Sequence, residues 1–449
     1  MKRRATQTMD VTDQASSKVH HLFQIHPPLP DGALSALILQ AKTVIGRSND
    51  DGADLVLADP QVSRVHAELH CKGASWFVTD RNSKNGIFVD GVRVASAVLR
   101  DGSVLRVGGT LFVMREIGLD VPSPLAAGLP FLGNSPALRR VEETCRRIAV
   151  TDATVLLRGE TGTGKEVFAR YLHACSGRSG RFVAVNCAAV SGGLFESAFF
   201  GHCKGAFTGA TKDFGGYARA AAGGTLFLDE VAEMPDESQA KLLRFLETGE
   251  IATIGTVDDV TVDVRFIAAT NQDLEARLAS GRFRADLFAR LSQRTIALPP
   301  LRERPEDALA IALGRLPSGH PGLSADAAEA LAVHAWPFNV RELLSAVDVA
   351  QQDAPGDVPL PLAALPQAIR HRIQARIAAT PRSSGGRPTP VDEPADTAGV
   401  PAVTEPELPS AERFQEVFRD CAGNVSEIAR RLGRDRRQVY RWIERFGCR

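Results

Sequence analysis

Residues 154–170 read TVLLRGETGTGKEVFAR: an apolar run, a glycine-rich turn and an amphipathic segment. Gly159, Gly164 and Lys165 meet the pattern G-x-x-x-x-G-K. Glycines at this spacing let backbone N–H groups converge on phosphate oxygens, the following helix N-terminus adds its dipole, and the lysine reaches the outer phosphates. Such a turn works only between a strand and a helix, which points the surrounding chain to an α/β layer on a parallel sheet. The hydroxyl residue that ordinarily follows the lysine as a Mg²⁺ ligand is absent, and Glu166 stands there. A glycine-rich strand–helix turn with no ligand is the other reading of these residues alone.

Two further segments favour the phosphate reading. GGTLFLDE (223–230) is a glycine turn and a buried strand ending in Asp229 and Glu230. An acidic residue there holds Mg²⁺ through water, and its neighbour polarises the attacking water. An acidic pair at a helix N-terminus is the alternative. VRFIAATN (264–271) is a third strand, and it ends in Asn271, placed to sense a γ-phosphate. Open α/β sheets bind ligands at the carboxyl ends of their strands.

The rest of the chain is organised around this centre. Residues 1–20 are polar and read as disordered. Between 21 and 118, short apolar runs alternate with turn signals such as NSKNG and VDG, the texture of an all-β sandwich. Residues 131–365 alternate strands with amphipathic helices. Residues 380–409 hold seven prolines and no aromatic residue, and read as a linker. Residues 410–449 return to helical periodicity. Formal net charge is zero, with 53 basic and 53 acidic residues, so a nucleic-acid contact must come from a local patch. The seven cysteines show no metal-ligand spacing, and no apolar run approaches membrane-spanning length. Reduced thiols, a cytoplasmic location and no membrane partner are the expectation.

The central region resembles the AAA+ domain of bacterial enhancer-binding proteins, the ATPases that activate RNA polymerase carrying sigma-54. The stretches that carry the resemblance are FLGNSPAL, GETGTGKE, NCAAV, ESAFFGHCKGAFTGA, GGTLFLDE, AATN, FRADLFARL, PPLRERPED and WPFNVREL. In that family a glutamate after the lysine is normal. The resemblance implies ATP and Mg²⁺ as cofactors, bound by Gly159, Gly162, Thr163, Gly164, Lys165 and Glu166. Asp229 and Glu230 would organise the metal and the water, and Asn186 would pair with Glu230. Arg284 and Arg290 would reach a neighbouring subunit's site, making a homo-oligomeric ring, expected as a hexamer, the working form. Arg341 would be the sensor arginine of a helical lid, beside Asn271 as the γ-phosphate sensor. Surface salt-bridging is the alternative for all three arginines. The loop Gly205, Ala206, Phe207, Thr208, Gly209 and Ala210 would touch sigma-54. Two departures stand out: Phe338 replaces the usual glycine in WPGNVREL, and EIATIGT (250–256) lacks an arginine and a glycine. They put lid geometry and inter-loop coupling in question.

The N-terminal sandwich resembles a forkhead-associated (FHA) domain in VIGRSNDDGADLVLADPQVSRVHAEL and DRNSKNGIFVDG. The resemblance implies a phosphothreonine-containing protein partner from a Ser/Thr kinase pathway. Arg47 and Ser63 would hold the phosphate, with Arg64 assisting and Asn85 bonding the peptide backbone. His66 reads as structural. A sandwich kept only for scaffolding is the alternative. The last 39 residues carry 10 arginines against 6 acids. Asn424 with Glu427 and Asp435 with Gln438 cap two short helices around Gly433, a helix-turn-helix. It resembles the Fis-type module, with Arg436, Arg437, Tyr440 and Arg441 facing enhancer DNA. The combined expectation is a sensor, a motor and a DNA address. Its rivals are a AAA+ remodeller with another client, and a regulator whose ATPase has decayed.

Overall fold

The computed structural model describes residues 18–28, 35–118, 133, 135–189, 192–207, 210–255, 259–354 and 356–379. Residues 1–17, the proline-rich linker and the C-terminal segment with Arg436, Arg437, Tyr440 and Arg441, the residues expected to face DNA, lie outside the described residues.

The sandwich starts at Lys18, three residues before the boundary suggested by composition, because Lys18–His26 pairs antiparallel with Thr110–Gly118. One sheet runs in the order Ser35–Ile38, Lys18–His26, Thr110–Gly118, Val104–Val107, Ile87–Val89, Val92–Val94. The other runs Leu55–Val56, Lys42–Gly46, Ala67–Lys72, Ser75–Asp80, Ser96–Leu99. Alternate residues face inward, and Leu22, Ile45, Leu69, Trp76, Ile87, Leu105, Phe112 and Met114 form the shared core. Val104–Val107 is buried at all four positions, so its outer face is covered as well.

The α/β layer is a five-stranded parallel sheet in the order Phe182–Asn186, Thr225–Asp229, Arg265–Thr270, Val155–Arg158, Arg294–Ala297. Its strands are apolar on both faces because helices lie on both sides. On one face Leu156, Leu226 and Leu228 pack with Phe195, Phe199, Leu242 and Phe245. On the other, Val155, Leu157 and Ile267 pack with Leu138, Phe168 and Leu172. Arg265, buried at the start of the central strand, donates to the carbonyls of Ala149 at 2.5 Å and Ile148 at 3.1 Å. It thereby caps the C-terminus of the helix Pro136–Ala149, whose last carbonyls lack intrahelical partners.

Helices Pro305–Arg315, Ala325–Val333, Asn339–Asp353 and Gln367–Ala379 form the lid around Trp336, Leu331, Leu343 and Val347. The lid turn does not need the glycine that Phe338 replaces. Phe338 sits at φ −110°, and the left-handed positions fall on Trp336 (φ 50°) and Asn339 (φ 51°). The Phe338 side chain projects to solvent. Ile25, Val104, Leu111 and Val113, from the outer face of the sandwich, belong to the same apolar cluster as the lid helices.

Candidate functional site

The glycine-rich turn leaves the strand Val155–Arg158 and enters the helix Lys165–Cys175 through Gly164 at φ 101°. Gly162 is required on two counts. Its φ is 80°, and a Cβ there would lie 2.2 Å from the Phe338 carbonyl oxygen. Gly159 packs close to Thr163, whose buried hydroxyl donates to the Glu160 carbonyl at 2.8 Å. Lys165 is buried, and its ammonium donates to the Gly159 carbonyl at 3.0 Å. It also stands 3.7 Å from the Glu230 carboxylate. Asp229 and Glu230 end the strand Thr225–Asp229, with Glu230 in the left-handed region at φ 50°. The Asn271 amide N–H donates to Glu230 at 3.2 Å, and the Asn271 side chain donates to the Thr161 hydroxyl at 2.8 Å. Three strand ends therefore converge on one place.

Burial, with the Glu230 carboxylate beside it, pushes the Asp229 carboxyl above its usual range, and Lys165 offsets this only in part. A divalent cation would invert that environment, so the acidic pair fits one. Among the described residues no group of three or more His, Cys, Asp and Glu is placed to hold a metal ion by itself. A Mg²⁺ ion here would thus take Asp229, water and phosphate oxygens.

Two expected members are turned elsewhere. Asn186 ends the strand beside Asp229, but its side-chain oxygen accepts from Ala188 at 2.9 Å and Ala189 at 3.2 Å of its own loop. No bond joins it to Glu230, whose carboxylate instead faces Lys165 and accepts from Asn271. Glu166 lies on the exposed side of its helix and pairs with Arg170 at 2.6 Å, one turn on. Arg341 is exposed above the turn, its Cβ 3.2 Å from the position a Gly162 Cβ would take. Arg284 pairs with Asp286 at 2.7 Å and Arg290 with Glu247 at 3.3 Å, all exposed. No hydrogen bond or ion pair joins either arginine to Lys165 or Glu230 of its own chain.

The loop from Gly205 to Ala210 is closed at its base by the Gly205 N–H donating to the Ala210 carbonyl at 2.8 Å. Phe207 is part-exposed and meets His202 edge-on, ring centroids 5.0 Å apart. Thr208 and Gly209 lie outside the described residues. Ile254 and Gly255 brace this loop without the arginine and glycine that the segment lacks. Cys203 N–H donates to the Ile254 carbonyl at 2.9 Å, and Gly255 packs against Ala206.

The Sigma-54 interaction domain family matches residues 131–297, the FHA domain family residues 43–108, and a winged helix-turn-helix family residues 419–447. The transcriptional regulatory protein ZraR of Klebsiella oxytoca is 39% identical over 332 residues, covering 71% of this chain and 70% of that protein. The chain belongs to the sigma-54-dependent transcriptional regulators. The response regulator protein FleR of Pseudomonas aeruginosa is 47% identical over 220 residues, 47% of this chain and 46% of FleR. NtrX of Brucella abortus, a solved structure, is 28% identical with a TM-score of 0.48, covering 73% of this chain and 70% of that one. The chain spans 46% to 65% of the length of the first curated relatives it matches. Among the described residues no helix is long and apolar enough to cross a membrane.

In this sigma-54-dependent regulator the FHA loops gather at one edge of the sandwich. Arg47, Arg64 and Asn85 are exposed and Ser63 half-buried. The Arg47 N–H donates to the Ser63 carbonyl at 3.0 Å, fixing one loop against the next. Gly46 permits this approach, since a Cβ there would sit 1.9 Å from the Arg64 carbonyl oxygen. His66 is buried and structural: the Ser63 N–H donates to its Nδ1 at 3.0 Å, and its Nε2 lies 3.1 Å from the Gly86 carbonyl. Asn85 donates to the Gln61 carbonyl at 2.6 Å. Lys84 was not legible in the sequence. Its N–H donates to the Ser63 hydroxyl at 3.1 Å, so it shares the edge with the expected residues.

Proposed function

We propose that this chain is an ATP-driven transcriptional activator that binds enhancer DNA through its C-terminal helix-turn-helix and assembles into a hexameric ring. It would remodel the closed complex of sigma-54 RNA polymerase through the loop bearing Phe207 and Thr208. In this reading the amides of Gly159–Gly164 and the Lys165 ammonium hold ATP phosphates, with Thr163 shaping the turn. Asp229 holds Mg²⁺, Glu230 activates water and Asn271 reads the γ-phosphate. Arg341 would close on the phosphates from the lid, while Arg284 and Arg290 serve the next subunit. Asn186, beside Asp229 in register, is free to exchange its loop bonds for Glu230 in another nucleotide state.

The observation that carries the reading is a packed route from chemistry to tool. The strand ending in Asp229 shares its core with Phe195, Phe199 and Phe200 of the helix Gly192–Phe200. The Phe199 and Phe200 rings meet at 4.7 Å, immediately before the sigma-54-facing loop. A shift at Glu230 therefore moves a close-packed body rather than a slack chain. The test is a native gel of the protein with sigma-54 and ADP plus a metal fluoride. A complex should form with wild type and be lost with Thr208→Ala; equal complexes with both would remove the loop from the contact.

The FHA edge supports a phosphothreonine peptide as the input, with Arg47, Ser63, Arg64 and Asn85 as its ligands. Charge-assisted bonds to phosphate are the strong term. Arg47→Ala should weaken binding of a phosphothreonine peptide by at least about tenfold in a calorimetric titration. Affinity within twofold of wild type would sink the assignment.

A further inference from the structure

The outer face of the sandwich is a built interface. Along Thr110–Gly118, Phe112 and Met114 point into the sandwich while Leu111 and Val113 join the lid cluster. Arg106 donates to Glu329 at 2.7 Å and Asp326 at 2.6 Å of the lid helix Ala325–Val333. Arg115 donates to both oxygens of Glu306, at 3.0 and 2.6 Å, and to the Glu303 carbonyl at 2.9 Å. Arg106, Arg115, Glu306 and Glu329 are all buried.

The sequence neighbours of the residues that Arg115 grips hold the phosphate turn. Arg302, next to Glu303 in the short turn Leu301–Glu303, donates to both oxygens of Glu160 at 2.8 and 2.7 Å. This bond, with Asn339 beside it, holds the Glu160 carboxyl below its usual range. Arg304 donates to the Thr163 carbonyl at 3.2 Å. Asn339 accepts from Leu301 N–H at 2.7 Å and donates to the Thr161 carbonyl at 3.0 Å. Residues 301–306 are thus clasped by the sandwich on one side and by the glycine-rich turn on the other. A cavity of about 620 Å³, lined by Arg100, Asp101, Arg115, Arg140, Arg302 and Glu303, borders the turn.

We infer that the turn Leu301–Glu303 couples the FHA sandwich to the nucleotide site, so that nucleotide at the glycine-rich turn rigidifies the sandwich. By linkage, whatever shifts the sandwich on the lid shifts nucleotide affinity by the same factor. The sandwich is then part of the ATPase protomer rather than a tethered sensor. The inference rests on nucleotide binding at Gly159–Lys165.

Hydrogen exchange on the full chain tests it, with and without saturating ADP, beside a titration of a fluorescent ADP. In wild type, ADP should raise protection of the Thr110–Gly118 amides about tenfold, since a ligand stabilises every element that opens together with its site. Arg115→Met strands Glu306 without its partner, so the informative variant is Arg115→Met with Glu306→Leu, which replaces the buried pair by apolar side chains. In it the ADP-dependent gain should fall below about twofold while ADP still binds. Unchanged wild-type protection despite measured ADP binding overturns the coupling. A full gain in the double variant overturns the route through Arg115. Failure of the titration itself overturns the nucleotide site and the coupling together.

Discussion

Glu230→Gln should bind ATP as wild type does and hydrolyse it at least about 10³-fold more slowly, the size expected for loss of a general base that positions water. Glutamine keeps the shape and still accepts the Asn271 N–H bond at 3.2 Å. What it loses is the negative oxygen 3.7 Å from Lys165. Binding should survive, because in the proposed site the phosphates are held by the amides of the glycine turn and by Lys165, none of which changes. Glu230 occupies a left-handed position at φ 50°, backbone that a non-glycine residue adopts at a cost and that concentrates at working sites. Single-turnover phosphate release, measured beside a fluorescent-ATP titration, separates the two effects. A rate within tenfold of wild type would move the base to another residue. Lys165→Ala is the contrast: it should lose ATP affinity as well as rate, because the lysine is the one buried cation of the turn.

Local motifs were legible because their chemistry is local. The glycine turn, Lys165 and the acidic strand end are dictated by phosphate geometry, and the fold places them where the sequence does. Side-chain direction was not legible in the same way. Glu166 follows the lysine in sequence, yet a helix turns successive residues through about 100°, so it meets Arg170 at the surface instead of the phosphate turn. Asn186 has two amides of its own loop within reach before Glu230. The docking of sandwich on lid was missed because alternation in an antiparallel sheet assigns Arg106 and Arg115 to solvent. A signal was present: TLFVMREIG is apolar at four successive positions, Leu111 to Met114, too continuous for a strand with one wet face. Phe338 shows the reverse error. Its replacement of a family glycine put the lid geometry in question, but the positive φ angles belong to the nearby Trp336 and Asn339.

Arg290→Ala alone should lower ATP turnover about 10³-fold, the range seen when an arginine supplied in trans is removed from a phosphoryl-transfer site. Within one chain this residue has no reason to matter. It is exposed, bonded at 3.3 Å to Glu247, and the surface ion pair it forms contributes little. The same holds for Arg284 with Asp286 at 2.7 Å. Their importance therefore requires a neighbour, and the requirement can be measured. Arg290→Ala subunits keep an intact Lys165, Asp229 and Glu230 but offer no guanidinium; Glu230→Gln subunits do the opposite. In a head-to-tail ring mixed at equal amounts, about a quarter of the interfaces pair a working site with a working arginine. Turnover should then rise from near zero in each variant alone to about a quarter of the wild-type rate. The recovery should vanish on dilution below the concentration at which rings form, followed by light scattering. Two inactive variants that stay inactive when mixed, in rings shown to exchange subunits, would mean that Arg290 acts within its own chain. The same mixture prepared with Arg284→Ala assigns that arginine independently, since each guanidinium must restore activity through the interface it serves.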